Sequence, residues 1–317
     1  MALAQSHPSC AAAAAARKYG TPCFYFDVMR FRSRIGRLRS SLPEGVRICF
    51  SVKSNPFLAR YGAAAADSVE VCSPGEWELC VRQGIPPNRI VVNGVYKSPQ
   101  ELSWLAEAGP ARISIESVRQ YRLLADSARK CQNVLLRLTS GNQFGMNLEE
   151  IQDIVRHPHP YIAVRGLHFY SGTQKKEAAA IQKDLRLLWS ALSECGLAAP
   201  EVSYGPGLGT PLFEGASMPY EAAYDAMLKE VRRLHSAYPV TLELGRLLTA
   251  DCGLYVTRVV DKKRNGDRTF YIVDGGIHQL CYYGQINGVP APVIHQMSGG
   301  APSEATVCGA LCTAGDI

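Results

Sequence analysis

Lys53 occupies a position from which a lysine can do chemistry. It closes the short apolar run 46–52 and is followed at once by Ser54, Asn55 and Pro56. Pro56 has no N–H and disfavours helix at the residue before it, so we expect a strand to end here. A lysine at the carboxyl end of a barrel strand faces the site, and after losing its proton it can form a Schiff base. The alternative is a surface lysine at a strand end.

Two other segments place side chains of matching chemistry after predicted strands. His168 follows the strand-like run 164–167, where an imidazole can stack on or polarise a flat aromatic cofactor. Glu243 ends the last predicted barrel strand, where a carboxylate can keep a ring nitrogen protonated. Gly245 and Arg246, which follow it, can contribute backbone and charge to a phosphate. Taken singly, His168 could equally be a core histidine and Glu243 half of a salt bridge.

A glycine-rich loop follows the strand-like run 201–204. Gly205 and Gly207, in the sequence Tyr-Gly-Pro-Gly-Leu-Gly-Thr, let backbone N–H groups approach an anion closely. Phosphate sites in α/β barrels commonly lie after the seventh and eighth strands, which fits this late position. The alternative for the loop alone is a plain turn. Together with the lysine, the histidine and the glutamate, however, it predicts a site for pyridoxal phosphate (PLP), which needs an amine, a stacking group, a carboxylate and a phosphate cradle.

A thiol and a carboxylate lie close together near the end of the sequence. Cys312 and Asp316 belong to the segment Cys-Gly-Ala-Leu-Cys-Thr-Ala-Gly-Asp at 308–316. Such a pair could handle a substrate's proton and its amine, whereas the alternative is ordinary turn chemistry with a buried cysteine.

Strand-like and helix-like segments alternate over the first 250 residues, which predicts a (β/α)8 barrel. The predicted strands are 46–52, 68–72, 89–92, 112–115, 133–138, 162–169, 201–204 and 240–244, and predicted helices include 57–66, 118–128, 148–156 and 175–194. After residue 250 the pattern becomes alternating, and Asn265-Gly266 is a strong hairpin signal. We therefore predict a PLP-binding barrel over 28–250. An antiparallel β domain is predicted from 1–27 and 251–317, and we expect it to be incomplete at its C-terminal end.

Composition limits the classes of function. The net charge of +6 is spread along the chain, which argues against a nucleic-acid partner. Eleven cysteines without a paired spacing indicate free thiols in a reducing cytoplasm, and no metal site is expected. No apolar run is long enough to predict a membrane span.

The motifs resemble those of the fold-type III PLP enzymes, the ornithine, diaminopimelate and arginine decarboxylase family, to which alanine racemase is a distant relative. The resemblance covers nearly the whole chain, from residue 19 to residue 316. The segments that carry it are 50–56 around Lys53, 70–76 beginning at Glu70, 168–174, the loop 205–207, 243–246, and 309–316. Two departures are Glu70, where the family has Asp, and Pro206, where it has Gly.

The resemblance implies roles for particular residues. Lys53 would be the Schiff-base lysine, His168 the ring-stacking histidine, Ser171 a residue near the phosphate, and Glu70 a further cofactor contact. Cys312 would return a proton after CO2 leaves, and Asp316 would meet the distal end of the substrate, both acting across a homodimer interface.

The resemblance also implies a PLP-dependent amino-acid decarboxylase located in the cytoplasm. The form of the 168–174 segment is closer to decarboxylases that act on modified or carrier-bound amino acids than to ornithine decarboxylase. Two alternatives stay open: an amino-acid racemase or epimerase, which would need a second proton donor opposite Lys53, and a non-catalytic PLP-binding homologue.

Overall fold

The computed structural model describes residues 10–211, 220–280, 293–297 and 304–317. The predicted β domain also includes residues 1–9, 281–292 and 298–303, which lie outside the described residues. The strands are β1 (Cys23–Phe26), β2 (Arg47–Ser51), β3 (Ser68–Val71), β4 (Ile90–Val92), β5 (Arg112–Ile115), β6 (Gln132–Arg137), β7 (Ile162–Tyr170), β8 (Glu201–Gly205), β9 (Val240–Leu244), β10 (Gly253–Val256), β11 (Val259–Asn265), β12 (Arg268–Val273) and β13 (Thr306–Cys308). The helices are α1 (Cys10–Tyr19), α2 (Val28–Ser41), α3 (Ala59–Ala65), α4 (Pro74–Arg82), α5 (Pro99–Ala108), α6 (Val118–Ser127), α7 (Leu148–Arg156), α8 (Ala178–Glu194), α9 (Tyr220–His235) and α10 (Arg246–Thr249).

Strands β2 to β9 form a closed parallel barrel, which confirms the predicted fold class. The barrel closes where β2 pairs with β9, from Arg47 opposite Thr241 to Phe50 opposite Leu244. The middle of β2 is fully buried, as expected for a short apolar strand with the sheet on both sides and helices outside.

Serine caps start the helices directly after three of the barrel strands. The hydroxyls of Ser73, Ser98 and Ser117 accept the N–H of the residue three positions later, at the start of α4, α5 and α6. Proline follows Ser73 and Ser98 at the first helical position, where its missing N–H costs nothing. Ser73 and Ser117 follow β3 and β5 closely, so the residues just before these two caps lie at the carboxyl end of the barrel.

The described chain divides into two compact units. The barrel unit comprises the described residues within 28–210 and 218–249, and the β unit comprises those within 1–27, 211–217 and 250–317. In the β unit, β1 pairs antiparallel with β10, and the predicted hairpin at Asn265-Gly266 is confirmed by the antiparallel pairing of β11 with β12. Strand β13 pairs parallel with β12, so this sheet is mixed, which the alternating pattern did not predict.

Three boundaries in the barrel differ from the sequence prediction. The predicted helix 57–66 is a 3₁₀ turn, Pro56–Leu58, followed by α3, because the Asn55 side chain accepts the Phe57 N–H and caps the turn. The predicted helix 175–194 begins only at Ala178, because Lys175 pairs with the glycine-rich loop: its N–H donates to the Gly207 carbonyl. Strand β7 continues one residue past its predicted end, to Tyr170.

No helix within the described ranges combines the length and the apolar character that crossing a membrane requires. All ten cysteines that the described ranges contain are free thiols, in agreement with the sequence prediction.

Candidate active site

Lys53 belongs to a triangle of three polar side chains. It lies two residues past the end of β2, in the 3₁₀ turn Val52–Ser54, rather than on the strand itself. Its Nζ is 2.7 Å from Oε1 of Glu70 and 3.4 Å from Sγ of Cys72, and the Cys72 thiol donates to the same Oε1 at 2.8 Å. The Lys53 side chain is 50% exposed whereas Glu70 is 1% exposed, so an incoming molecule can reach the amine but not the carboxylate.

The triangle shifts the pKa of each member. Burial by itself would lower the pKa of Lys53, but the Glu70 carboxylate outweighs it and the pKa of Lys53 is raised. Burial would conversely raise the pKa of Glu70, yet the Lys53 ammonium and the Cys72 thiol lower it to about 2. Burial and the Glu70 charge raise the pKa of Cys72. At neutral pH the three groups are therefore an ammonium, a carboxylate and a thiol.

A layer of polar side chains fills the barrel interior near the carboxyl ends of the strands. Hydrogen bonds and ion pairs join side chains on strands that are not neighbours, which is possible only across the interior. Asn93, after β4, donates to Glu243 on β9, and Ser114 on β5 lies 2.9 Å from Nδ1 of His168 on β7. The layer consists of Glu70, Asn93, Ser114, Glu116, Arg137, His168, Ser203 and Glu243.

Glu243 is held as a carboxylate at the centre of this layer. Its Oε1 accepts the Ser203 hydroxyl at 2.6 Å and its Oε2 accepts the Asn93 amide at 3.0 Å, while His168 Nε2 lies 3.1 Å from Oε2. Burial would raise the pKa of Glu243, but the His168 imidazole and the Ser203 hydroxyl lower it. An ionised carboxylate so placed can stabilise a proton on a ring nitrogen beside it.

His168 lies inside β7, as the predicted strand 162–169 implied, and not after the shorter run 164–167. The strand runs two residues further, to Tyr170. The His168 side chain is 1% exposed, and its two nitrogens face Ser114 and Glu243.

The layer also contains a buried ion pair between Arg137 and Glu116. Nη1 of Arg137 is 2.9 Å from Oε1 of Glu116, which also accepts the Gly94 N–H. Lys97, in the loop before α5, is 1% exposed and donates to the carbonyls of Gly94 and Ser114. Burial lowers the pKa of Lys97 to about 8.

The glycine-rich loop pairs with the segment after β7. The Gly209 N–H donates to the carbonyl of Lys175, and Gly207 has φ +61° with the Gly172 carbonyl in the space that a Cβ would need. Only glycine fits such a position without strain. Gly205 is the last residue of β8, so both predicted phosphate-loop glycines lie at the carboxyl end of the barrel.

Ser171 does not point its hydroxyl at open space. It donates to Asp184 of α8 at 2.7 Å, and Asp184 also accepts the Tyr204 hydroxyl and pairs with Lys175. Burial lowers the pKa of Lys175, and burial together with Asp184 raises the pKa of Tyr204. This cluster fixes the start of the segment that the glycine-rich loop pairs with.

Gly245 and Arg246 lie at the junction of β9 and α10. The Gly245 carbonyl accepts the N–H of Leu248, which starts the short helix, and Arg246 is half-buried as its first residue. Both therefore lie just past Leu244, the last residue of β9, at the carboxyl end of the barrel.

Cys312 and Asp316 belong to the β unit. Cys312 is exposed. Asp316 is 3% exposed, and its two carboxylate oxygens accept the N–H groups of Ile277 and Leu311, each at 2.8 Å. Asp316 thus fixes the loop 309–316 that carries Cys312.

Sequence reasoning missed several polar side chains of the layer and its surroundings. They are Cys72, Asn93, Ser114, Glu116, Arg137 and Ser203, together with Lys97 behind them. Most share one signal: a polar residue within or just after a short apolar strand that precedes a helix. Lys53 and Glu243 carry the same signal.

Comparison with known proteins identifies the family. Residues 28–250 match the family model described as pyridoxal-dependent decarboxylase, pyridoxal binding domain. Curated relatives include a diaminopimelate decarboxylase of Actinosynnema pretiosum subsp. auranticum, 27% identical over 95% of this chain and 75% of that protein. They also include an L-glutamyl-[BtrI acyl-carrier protein] decarboxylase of Niallia circulans, 27% identical over 83% of this chain and 68% of that protein.

Solved structures share the fold. The lysine decarboxylase of Selenomonas ruminantium superimposes with a TM-score of 0.82 at 22% identity, covering 98% of this chain and 85% of that one. The diaminopimelate decarboxylase of M. jannaschii in complex with L-lysine gives a TM-score of 0.79 at 20% identity, covering 95% and 78%.

The side chains present fit the cofactor that this family binds. Lys53 supplies a reachable amine and Glu243 a buried ionised carboxylate. Among the described residues, Oε2 of Glu70 and Oδ1 of Asn93 are buried acceptors without a hydrogen-bond partner, as expected where an occupant supplies donors. The chain belongs to the pyridoxal-dependent decarboxylase family, and it is a PLP-dependent carboxy-lyase that acts on an amino acid.

Proposed function

We propose that the protein removes the α-carboxylate of an amino acid at a site built around Lys53, which binds the cofactor covalently through Nζ. The observation that supports this most is the triangle of Lys53, Glu70 and Cys72 beside the buried Glu243 carboxylate. The triangle lies at the carboxyl end of the barrel, where α/β-barrel enzymes place their chemistry.

Each side chain of the site has a distinct task. When bound, the cofactor supplies an electron sink for the electron pair left on the α-carbon as CO2 departs. Glu243 holds a proton at the pyridine nitrogen, and His168, Asn93 and Ser203 keep that carboxylate ionised and oriented. Gly205, Gly207, Gly245 and Arg246 bind the phosphate, and Ser171 acts indirectly by fixing the paired segment through Asp184.

Lys53 must give up a proton before it can bind an aldehyde. Its raised pKa means that it holds that proton at neutral pH, so the Glu70 carboxylate controls how readily cofactor is bound. Once Lys53 is linked, Cys72 still donates to Glu70 and keeps this buried charge satisfied.

The homodimer supplies the remaining groups in this proposal. Cys312 of one chain returns a proton to the α-carbon of a substrate bound at the Lys53 site of the other. Asp316 fixes the loop of Cys312 through two backbone N–H groups, and each of its oxygens has a second lone pair free in principle for a substrate amine.

The substrate is either a free amino acid or one bound to a carrier protein. The similarity to the Niallia circulans enzyme, whose name specifies a carrier-bound substrate, supports the second form. Comparing CO2 release from free L-glutamate, meso-diaminopimelate and L-lysine with release from L-glutamyl-carrier protein tests the choice. Release of CO2 from the carrier-bound substrate alone would support a carrier-bound substrate, and release from free amino acids alone would refute it.

Peptide mapping after borohydride reduction tests the role of Lys53. The holoenzyme should carry the reduced cofactor on the peptide that contains Lys53. Lys53→Ala should lose this adduct, whereas the matched control Lys183→Ala, at an exposed position of α8, should keep it. An adduct on another lysine of the wild-type protein would refute the assignment.

A further inference from the structure

The residue at the end of β7 faces the site more directly than the histidine inside it. Side chains two apart on a strand share a face, so Tyr170 and His168 both project to the interior of the barrel, whereas Phe169 points outward and stacks on Tyr204. Tyr170 is the outer of the two, at the carboxyl end, and His168 is the deeper one.

His168 has no open face for a ligand ring. Its side chain is 1% exposed, Nδ1 is engaged by Ser114 and Nε2 lies against the Glu243 carboxylate. His168 instead has the contacts of a residue that orients Glu243 from below.

Tyr170 has the face that His168 lacks. Its side chain is half-buried, and Nζ of Lys53 lies over its ring, 5.9 Å from the ring centroid. Offset-stacked aromatic rings have centroids about 4.5–7 Å apart. A planar ring joined through one carbon to this Nζ can therefore lie against Tyr170 without moving the strand.

The neighbouring strand leaves room for the Tyr170 ring. A Cβ at Gly205 would lie 2.7 Å from Cδ2 of Tyr170, closer than atoms that are not bonded can approach. Gly205 is thus required by the position of the tyrosine ring in addition to any contact with phosphate.

We propose that Tyr170 covers one face of the cofactor ring and that His168 is a positioning residue for Glu243. This inference rests on the proposed function, in which Lys53 anchors the cofactor. It changes the assignment of the stacking group from the buried imidazole to the phenol ring at the mouth of the barrel.

Cofactor affinity without the covalent link tests the proposal. In a Lys53→Ala background, PLP binding is measured by titration, together with the visible circular dichroism of the bound cofactor. Tyr170→Leu, which keeps apolar bulk but has no aromatic face, should weaken binding about tenfold and reduce the dichroic signal. Tyr170→Phe should bind within about twofold of the background, because stacking does not need the hydroxyl. Tyr161→Leu, at the exposed residue just before β7 begins, is the matched control and should change nothing.

The opposite pattern would overturn the proposal. If Tyr170→Leu binds PLP with the affinity of the background and gives an unchanged dichroic signal, the Tyr170 ring makes no contact with the cofactor. The same conclusion follows if His168→Asn lowers the affinity for PLP tenfold and Tyr170→Leu does not lower it. Thermal melting of each cofactor-free variant shows whether a loss of binding reflects unfolding, and Tyr170→Phe preserves the test if the leucine variant melts early. If the wild-type protein forms no covalent link and binds no PLP at all, the proposed function itself fails.

Discussion

At the scale of single residues, the charge of Glu70 governs the reactivity of Lys53. The carboxylate is 1% exposed, 2.7 Å from the amine, and it raises the pKa of Lys53 against the opposing effect of burial. A buried carboxylate therefore stabilises the protonated form of Lys53, which cannot attack an aldehyde.

Glu70→Gln should speed covalent loading of PLP at neutral pH. Without the Glu70 carboxylate, burial opposes only the smaller effect of Glu243, so the pKa of Lys53 falls and a larger fraction of the amine is neutral. The check is the rate at which visible absorbance appears after PLP is mixed with cofactor-free protein between pH 6 and pH 9. The wild-type rate should rise with pH over the whole range, and the variant should be faster at the lower end. A slower variant at pH 7 would contradict this account of Lys53.

Glu243→Gln should bind PLP but turn over more slowly, by about a hundredfold or more. The amide has the same shape as the carboxylate and can still accept the hydrogen bond from Ser203, but it supplies no negative charge to the ring nitrogen. Measuring kcat together with the amount of bound PLP separates an effect on turnover from an effect on cofactor binding. Ser203→Ala removes only a hydrogen-bond partner of the carboxylate, so its kcat should fall much less than that of Glu243→Gln. Normal turnover in Glu243→Gln would exclude the charge from the mechanism.

At the scale of elements, Lys97 ties together the loops that follow β4 and β5. Its amine joins the carbonyl of Gly94, next to Asn93, to the carbonyl of Ser114. Asn93 and Ser114 in turn hold Glu243 and His168. Lys97 thus orients two strand ends of the polar layer without entering the site.

Lys97→Met should destabilise the protein by about 2 kcal/mol at pH 9, because two buried carbonyls lose their donor. The pKa of Lys97 is about 8 in the folded protein, below its ordinary value, so the unfolded chain binds more protons between pH 8 and pH 10.5. The contribution of Lys97 to the free energy of unfolding therefore increases as pH rises through that window. Lys97→Met should accordingly lower the free energy of unfolding less at pH 7 than at pH 9. Urea unfolding at both pH values measures it, with exposed Lys183→Met as control. If Lys97→Met lowers the free energy of unfolding less at pH 9 than at pH 7, the pKa of Lys97 is not lowered in the folded protein.

The sequence was a good guide to elements and a poorer one to the contacts inside the barrel. Alternating strand-like and helix-like runs predicted the βα units, because the barrel strands are short and buried. Lys53 and Glu243 were found from strand ends alone. His168 was placed after the short run 164–167, although the predicted strand 162–169 contains it, and β7 extends to Tyr170. Contacts such as that of Ser114 with His168 join strands distant in sequence, so no local pattern predicts them.

At the scale of the whole molecule, the proposed homodimer predicts complementation. Lys53→Ala and Cys312→Ala proteins should each be inactive alone. After subunit exchange, half the dimers are hybrids with one intact site of two, so about a quarter of wild-type activity should return. Exchange is verified with differently tagged chains. If confirmed hybrids stay inactive, each site is completed within a single chain.

The fate of the substrate carboxylate and α-hydrogen in deuterated water tests the central claim most directly. Holoenzyme is incubated with carboxyl-labelled amino acids, free and carrier-bound, and the labelled CO2 and the deuterium content of the product are measured. A decarboxylase releases label as CO2 and yields an amine with one deuterium at the former α-carbon. Deuterium in intact amino acid without CO2 would instead indicate a racemase and would contradict the account.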